Sequence, residues 1–428
     1  MNLKRMKAFG PMKATVPWKS EVHYVSPFDF IAPIRKKFQG KKVTFHDVTL
    51  RDGEQQAGIV FRREEKVRIA RALDEAGVDR IEAGLPSVSR DDAAAVKEIA
   101  SLGLTAKVYA FARCMKPDVD AALKADVDGI VMEIPSSDHL IRHGYGWDEE
   151  KAVSLSVEAT SYAHDHGLKV TFFTIDATRA SFKVFRRLVG RVAEEGHMDS
   201  LAVADTFGVM NPEAVAYFVG KVSKLTDRPL EIHAHNDFGL ALANSLAAFA
   251  AGAETVHVTV NGIGERSGNT SLEEGVMALR HLYGVRTRVD SRKLRGLSLL
   301  VQELSGVKVP PQKPVVGSGI FTIESGIVAG WWRRLEKKRM RLEMLPFVPG
   351  LVGHDRVRVV LGKKSGKDSV LYTAEHGGMM VREEDLDEAL TRVKEESIRL
   401  KRELTDDEAL KVVGEFDRSV RSRHAVAA

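Results

Sequence analysis

Residues 42–55 read KVTFHDVTLRDGEQ. The opening KVTFHDV is a short apolar run of the strand type, and the turn after it carries Arg51, Asp52 and Gly53. A doubly wound dinucleotide-binding sheet needs a glycine-rich phosphate turn at this point, and VTLRDGEQ is not of that kind. Comparable runs recur downstream as far as Val260: RIEAG, AKVYAFA, GIVMEIP, LKVTFFTI, SLAVADT, LEIHAHN and TVHVTV. Helical stretches separate them, such as Arg63 to Ala76 and Asp91 to Leu102. Their apolar residues fall three and four apart, with Ser, Asp or Asn near their starts. Strand runs alternating with helices predict parallel βα units, and the expected fold is a closed (β/α)₈ TIM barrel.

On either side of the barrel the pattern changes. Residues 1–39, with Pro11, Pro17, Pro27 and Pro33, form an N-terminal extension, an arm or a barrel lid. The barrel itself is expected over residues 40–285. Residues 286–428 read as a mainly helical lid and dimerisation region. This region holds the Pro/Gly-rich VKVPPQKPVVGSG, a WWRRLEKK helix, the loop LPFVPGLVG, and charged helices near Glu383 to Glu403 and Asp406 to Arg423. The 58 residues that follow SGKDSV read as two charged helices, and an effector domain with its own core is not expected there.

Composition narrows the class. With 428 residues, 44% hydrophobic and 29% charged, the chain is neither disordered nor collagen-like. The net charge of +5 is dispersed, and no concentrated basic patch with aromatics marks a nucleic-acid surface. A mild basic excess suits anionic substrates, carboxylates or CoA phosphates. The single cysteine, Cys114, precludes an intramolecular disulfide and fits a reducing cytosol. No apolar run approaches the ~18 residues that span a membrane, and the N-terminus lacks the apolar core of a secretory signal. A soluble cytoplasmic protein with no membrane partner is therefore expected.

In this fold the chemistry sits at the C-terminal ends of the strands. Asp52 offers a carboxylate oxygen to a hard cation, and Arg51 can fork onto a substrate carboxylate or a developing oxyanion. Gln55, in the same turn, is a candidate for substrate binding. His233 and His235 alternate at the end of the seventh run, so they point the same way and suit metal chelation. The eighth run leads into NGIGERSGN, residues 261–269, whose glycines let the backbone approach a ligand closely. Glu265 and Asn269 there are candidates for metal or substrate, Glu265 also for catalysis. Lesser candidates at other strand ends are Glu82, Asp205, Thr206, Ser136, Ser137, His139 and Arg142. Cys114 reads as a buried small hydrophobe. Mixed carboxylate and imidazole ligation suits Mg²⁺, Mn²⁺, Co²⁺ or Zn²⁺.

Together DVTLRDGEQ, EIHAHND and NGIGERSGN resemble a family of metal-dependent barrel enzymes, those with a pyruvate carboxyltransferase-like domain. It includes 2-isopropylmalate, homocitrate and citramalate synthases and 3-hydroxy-3-methylglutaryl-CoA lyase. The resemblance is firm over roughly residues 40 to 280 and continues through GSGIFTIESGIVAG and VVLGKKSGKDSV. It implies that Asp52, His233 and His235 ligate the metal, that Asn269 does so in some members, and that Arg51 stabilises an enolate oxygen. It puts Glu82 and Thr206 near a bound 2-oxo acid; Gln55, His139 and Arg142, read from their places at strand ends, are further candidates for substrate contact. The implied reaction is a Claisen condensation of an acyl-CoA, acetyl-CoA above all, with a 2-oxo acid, after which hydrolysis releases CoA.

GIGERSGN resembles the synthase form of the last loop; the lyase form carries a cysteine there. VADTFG lacks the lysine of the biotin-dependent carboxyltransferases. Two departures concern proton transfer. Val328 stands where the synthases' ESGIVAG segment usually ends in histidine, and Ile175 where many have glutamate before the Asp-Ala-Thr-Arg run. The departures call for a replaced base, for which His354 and then His376 are the candidates. One alternative is a carbon–carbon lyase or aldolase using the same enolate chemistry. Another is a non-catalytic metal- or metabolite-binding protein, against which Arg51 speaks, since metal binding alone would not need it. Exposed-looking Trp331 and Trp332 predict a partner surface. The resemblance implies a homodimer in which the C-terminal segment of one chain helps cover the other's active site.

Overall fold

The computed structural model describes residues 16–417. Residues 1–15 of the predicted extension and 418–423 of the predicted last helix lie outside the described residues. The chain divides into two compact units, one Ser26–Val309, the other Pro310 onward together with the stretch up to Val25.

In the first unit the predicted strands form β1 (Thr44–Asp47), β2 (Arg80–Glu82), β3 (Lys107–Arg113) and β4 (Gly129–Pro135). The rest are β5 (Lys169–Ile175), β6 (Ser200–Asp205), β7 (Leu230–Ala234) and β8 (Ala253–Val258). They pair in chain order, all parallel, and β8 closes on β1 with His257 beside His46. The fold is thus the expected (β/α)₈ barrel.

Strand alternation sorts the side chains. Tyr109, Phe111, Val131, Phe173, Ala202 and Ala204, alternate residues of β3 to β6, form one buried cluster inside the barrel. The alanines of β6 leave room for Phe111 and Phe173, which meet edge to face at 5.7 Å. Residues of the opposite parity, such as the fully buried Phe45, Ile81 and Phe172, face the helical layer.

Helix ends follow their caps. Arg63–Ala76 runs as predicted and stops at Gly77, whose φ of 90° suits glycine. The next helix is Arg90–Ala100, because the Ser89 hydroxyl accepts from the Asp92 amide and fixes its start. The helix Leu294–Ser305, beyond the change of pattern near residue 285, also belongs to this unit and packs on Arg63–Ala76. So does Ala32–Phe38 of the extension, whose Phe38 ring lies 4.2 Å from Tyr283. Cys114 is buried as expected, and burial pushes its thiol up to about 12.

The second unit has its own apolar core, with Leu361, Val370, Val393, Leu404 and Val413. Helices Gly326–Lys337, Lys367–His376, Leu386–Leu400 and Asp406–Gly414 surround a two-residue parallel pair, Thr322–Ile323 with Arg358–Val359. The predicted helix Glu383 to Glu403 begins instead as a 3₁₀ turn, Glu383–Asp385. A Cβ on Gly326 would sit 2.5 Å from the Gly366 Cα, so ESGIVAG and SGKDSV meet backbone to backbone through glycines. Trp332 corrects the expectation of two exposed tryptophans. It is 1% exposed, whereas Trp331, one residue earlier and so on another face of the helix, is 51% exposed. No described helix is long and apolar enough to cross a membrane.

Candidate functional site

β1 ends in a single π-helical turn, Thr49–Gly53, with every residue buried. The Thr49 amide donates to Asp47 Oδ1 at 2.9 Å, and the Val260 amide donates to Thr49 Oγ1 at 2.9 Å. The turn is thereby fixed to the segment after β8, and it aims Arg51 and Asp52 into the barrel mouth.

Asp52 Oδ2 lies 3.2 Å from His233 Nε2 and 3.7 Å from His235 Nε2, and the two ring nitrogens are 3.2 Å apart. All three residues are buried and form a group whose atoms could hold a metal ion. Two ligands each ~2.1 Å from one ion are roughly 3.0–3.4 Å apart in octahedral or tetrahedral arrangement; the two 3.2 Å separations match this, and the 3.7 Å one is a little wider. Burial lowers the His233 pKa to about 3 and also lowers that of His235, so both imidazoles are neutral and keep a lone pair. Burial acts to raise the Asp52 pKa, but Arg51 and the two histidines outweigh it and hold the carboxyl well below its usual range. Asn269 Nδ2 donates to Asp52 Oδ1 at 3.0 Å, and its own Oδ1 is buried with no hydrogen-bond partner among the described residues. The chemistry of this set is that of a cation site with one amide oxygen in reserve.

The loop of residues 261–269 closes over it. Gly264 has φ of 151°, and a Cβ there would come within 2.1 Å of Asn269 Nδ2 and 3.0 Å of Asp52 Oδ1. Only glycine lets this backbone pass so close.

Arg51 is sandwiched. Its guanidinium lies 4.0 Å over the Phe111 ring, pairs with Glu82, and donates through Nη1 to Asp52 and to Gln55 Oε1, both at 3.1 Å. Nη2 is buried with no hydrogen-bond partner among the described residues, which leaves a donor for a substrate oxygen. Burial works to raise the Glu82 pKa, yet Arg51 and His46 bring it down to about 2. Glu82 is therefore a fixed charge that orients Arg51.

Below this level lies a polar layer that sequence reasoning missed. His46 Nε2 is 3.2 Å from Glu82 Oε2 and its ring stacks on His257 at 4.5 Å. His257 Nε2 is 2.8 Å from Glu231 Oε2, and Arg80 Nη1 donates to Glu231 Oε1 at 2.7 Å. The signal was present: charged residues at alternate positions of RIEAG and LEIHAHN must share the barrel interior with His233.

The other candidates are placed as follows. Thr206 Oγ1 accepts from the Asp176 amide at 2.8 Å. Asp176, buried and at φ of 58°, also takes Ser137 Oγ at 2.6 Å, His139 Nε2 at 3.0 Å and Arg179 Nε at 2.6 Å. Ser137 and His139 thus gather with Arg179 around a carboxylate that was not singled out, and Thr206 holds the backbone of the same residue. Gln55 is exposed but tied to Arg51. Glu265 is exposed, 3.6 Å from Arg266 Nη1, and does not join the buried set. Arg142 lies on the exposed turn Leu140–Gly144, in an outer groove with Asp138 and Trp147. His354 belongs to the second unit, its ring edge-on to Phe321 at 5.1 Å.

Comparison with known proteins gives the family and the fold. Residues 42–301 match the model of the HMGL-like family. A probable 2-isopropylmalate synthase of Methanopyrus kandleri is 46% identical over 83% of this chain and 70% of its own length. A homocitrate synthase of the same organism is 44% identical over 82% of this chain and 87% of its own. A putative (R)-citramalate synthase of Archaeoglobus fulgidus is 44% identical over 83% and 71%. An HMG-CoA lyase of Bacillus subtilis, 21% identical, shares the fold with a TM-score of 0.58, covering 63% of this chain and 96% of that one.

The Glu82 charge predicts a pH dependence of stability. Its folded pKa of about 2 lies below the ordinary 4.5. The stability it contributes is present above about pH 4.5 and is lost as the pH falls toward 2. Glu82→Gln should therefore lower stability at pH 7 by on the order of 2–3 kcal/mol and flatten acid unfolding over that window. Urea melts at a series of pH values check this; an unchanged acid limb would contradict it.

Proposed function

The chain belongs to the HMGL-like family, an acyltransferase like its synthase relatives, and from that premise we propose that it condenses an acyl-CoA with a 2-oxo acid. The observation that carries this reading is the convergence of Asp52, His233 and His235 beside an arginine that keeps a buried donor in reserve. Asp52, His233 and His235, with Asn269 as a fourth, would hold a divalent ion, one of Mg²⁺, Mn²⁺, Co²⁺ or Zn²⁺. Such an ion supplies Lewis-acid stabilisation of charge on a carbonyl oxygen. Arg51 adds hydrogen bonds to the enolate oxygen of acetyl-CoA, and Glu82 keeps its fork in plane. Thr206, His139 and Arg179, gathered on Asp176, supply polar groups for the 2-oxo acid. The lyase alternative has no comparable support, since the loop of residues 261–269 carries no cysteine.

A homodimer is part of the proposal. On the helix Gly326–Lys337, Ile327 is 70% and Trp331 51% exposed, four residues apart and so on one face. A second copy of the chain would cover this apolar pair. Light scattering should give about twice the 47.2 kDa chain mass; a fully active species of 47.2 kDa would contradict the dimer.

The function is tested by thiol release from acetyl-CoA with a panel of 2-oxo acids. CoA should appear with at least one of them, and chelation should abolish it. Asp52→Ala should lose both metal and turnover. Arg51→Lys should keep the metal and lose roughly 10²–10³ in rate, because lysine lacks the planar fork. Full turnover in metal-free protein would overturn the reading.

A further inference from the structure

Glu133 stands on β4 in register with Arg113 of β3 and Phe173 of β5. Val131, two residues earlier, belongs to the barrel-interior cluster, so Glu133 also faces inward, one level nearer the C-terminal mouth. Its side chain is only partly buried, and its carboxyl makes no hydrogen bond or ion pair among the described residues. The other acidic groups at this mouth are committed: Asp52 to the histidines and Arg51, Glu82 to Arg51 and His46, Asp176 to Ser137, His139 and Arg179. A carboxyl on an interior wall beside aromatic rings with no fixed partner is costly unless it has work to do.

Its surroundings suit proton exchange. Arg51 faces it from the turn after β1, Glu82 from β2, Arg113 and Cys114 from the end of β3, Asp118 from the following helix, and Tyr145 from the loop after β4. Burial pushes its pKa up to about 7, against the pull of Arg51 and Arg113 and with the help of Asp118 and Glu82. Arg113 itself is tied to Asp118 by bonds of 2.9 Å, so it does not clamp Glu133. Across the same strand pair, Ile175 is in register with Pro135 and packs against the interior cluster. At that position the resemblance led one to expect glutamate. The inward carboxyl at this corner of the mouth comes instead from the neighbouring strand.

We propose that Glu133 is the proton acceptor of the condensation, a role that rests on the reaction proposed above. Its carboxylate takes a proton from the α-carbon of the acyl-CoA. The C–H electron pair becomes the enolate double bond, and negative charge moves to the thioester oxygen, next to Arg51. The α-carbon then bonds to the keto carbon of the 2-oxo acid, whose π pair moves onto its oxygen. That oxygen takes up the proton from Glu133, which returns to carboxylate. Water cleaves the thioester to give a carboxylic acid and the CoA thiol.

The test compares Glu133→Gln and Glu133→Asp with the wild type in the metal-loaded full-length protein. Because the acceptor must be ionised, wild-type kcat/KM should rise with pH through about 7 and level off above it. Glu133→Gln should lose roughly 10²–10⁴ in kcat and lose this limb, while calorimetric affinity for the 2-oxo acid stays within about three-fold. Glu133→Asp should restore part of the rate. Carbon NMR of glutamate-labelled protein should show one carboxyl titrating near 7 that is missing from Glu133→Gln, a readout independent of turnover. Activity of Glu133→Gln within a few-fold of an active wild type, or a loss confined to His354→Ala, would overturn Glu133 alone. A wild type that releases no CoA from any pair would overturn the proposed reaction, and the acceptor role with it.

Discussion

The Arg51–Glu82 ion pair is the contact on which the barrel mouth depends. A buried guanidinium needs a compensating charge, and Glu82 supplies it from the adjacent strand. Glu82 in turn is met by His46, which stacks on His257, which reaches Glu231, which is balanced by Arg80. The chain of contacts runs from the mouth into the barrel floor, so Arg51 cannot tilt without disturbing several strands. With His233 and His235 neutral, Arg51 is outweighed by Asp52 and Glu82 by one negative charge. A site with that residual charge, lined by nitrogen lone pairs, favours a cation.

Geometry divides the labour among the carboxyls. Asp52 and Glu82 are surrounded by positive or hydrogen-bonding groups and remain ionised, so they stabilise charge without exchanging protons. Asp176 is saturated by three side chains and acts as a scaffold for Ser137, His139 and Arg179. Glu133 alone in this set has burial without a partner, and such a group can change protonation near neutral pH.

The fold was legible because the signals were local and repeated. Eight strand runs alternate with helices, each run matches an observed strand, and the turn after the first lacks the glycine-rich phosphate loop of a Rossmann sheet. The group Asp52, His233 and His235 was also legible, because strand alternation fixes where His233 and His235 point and the barrel brings the ends of β1 and β7 to one mouth. The polar floor escaped notice because His46, Arg80 and Glu231 each look like a stray polar residue in an apolar run. Their meaning lies in contacts across β1, β2, β7 and β8 that only closure creates. Glu133 escaped for the same reason: within GIVMEIP nothing marks it until Phe173 and Arg51 are placed beside it. Trp332 was misjudged because adjacent residues on a helix lie about 100° apart, so one can be buried while its neighbour is exposed.

Two buried groups among the described residues could hold a metal ion: Asp52, His233 and His235 at the mouth, and His46, Glu231 and His257 in the floor. Arg80 at 2.7 Å from Glu231 places a fixed cation against the second group, which disfavours another positive charge there. Anomalous diffraction from crystals grown with Mn²⁺ decides between them most directly. The account predicts a single strong peak within ~2.3 Å of Asp52 Oδ2, His233 Nε2 and His235 Nε2. A peak among His46, Glu231 and His257, or none within reach of Asp52, would contradict it.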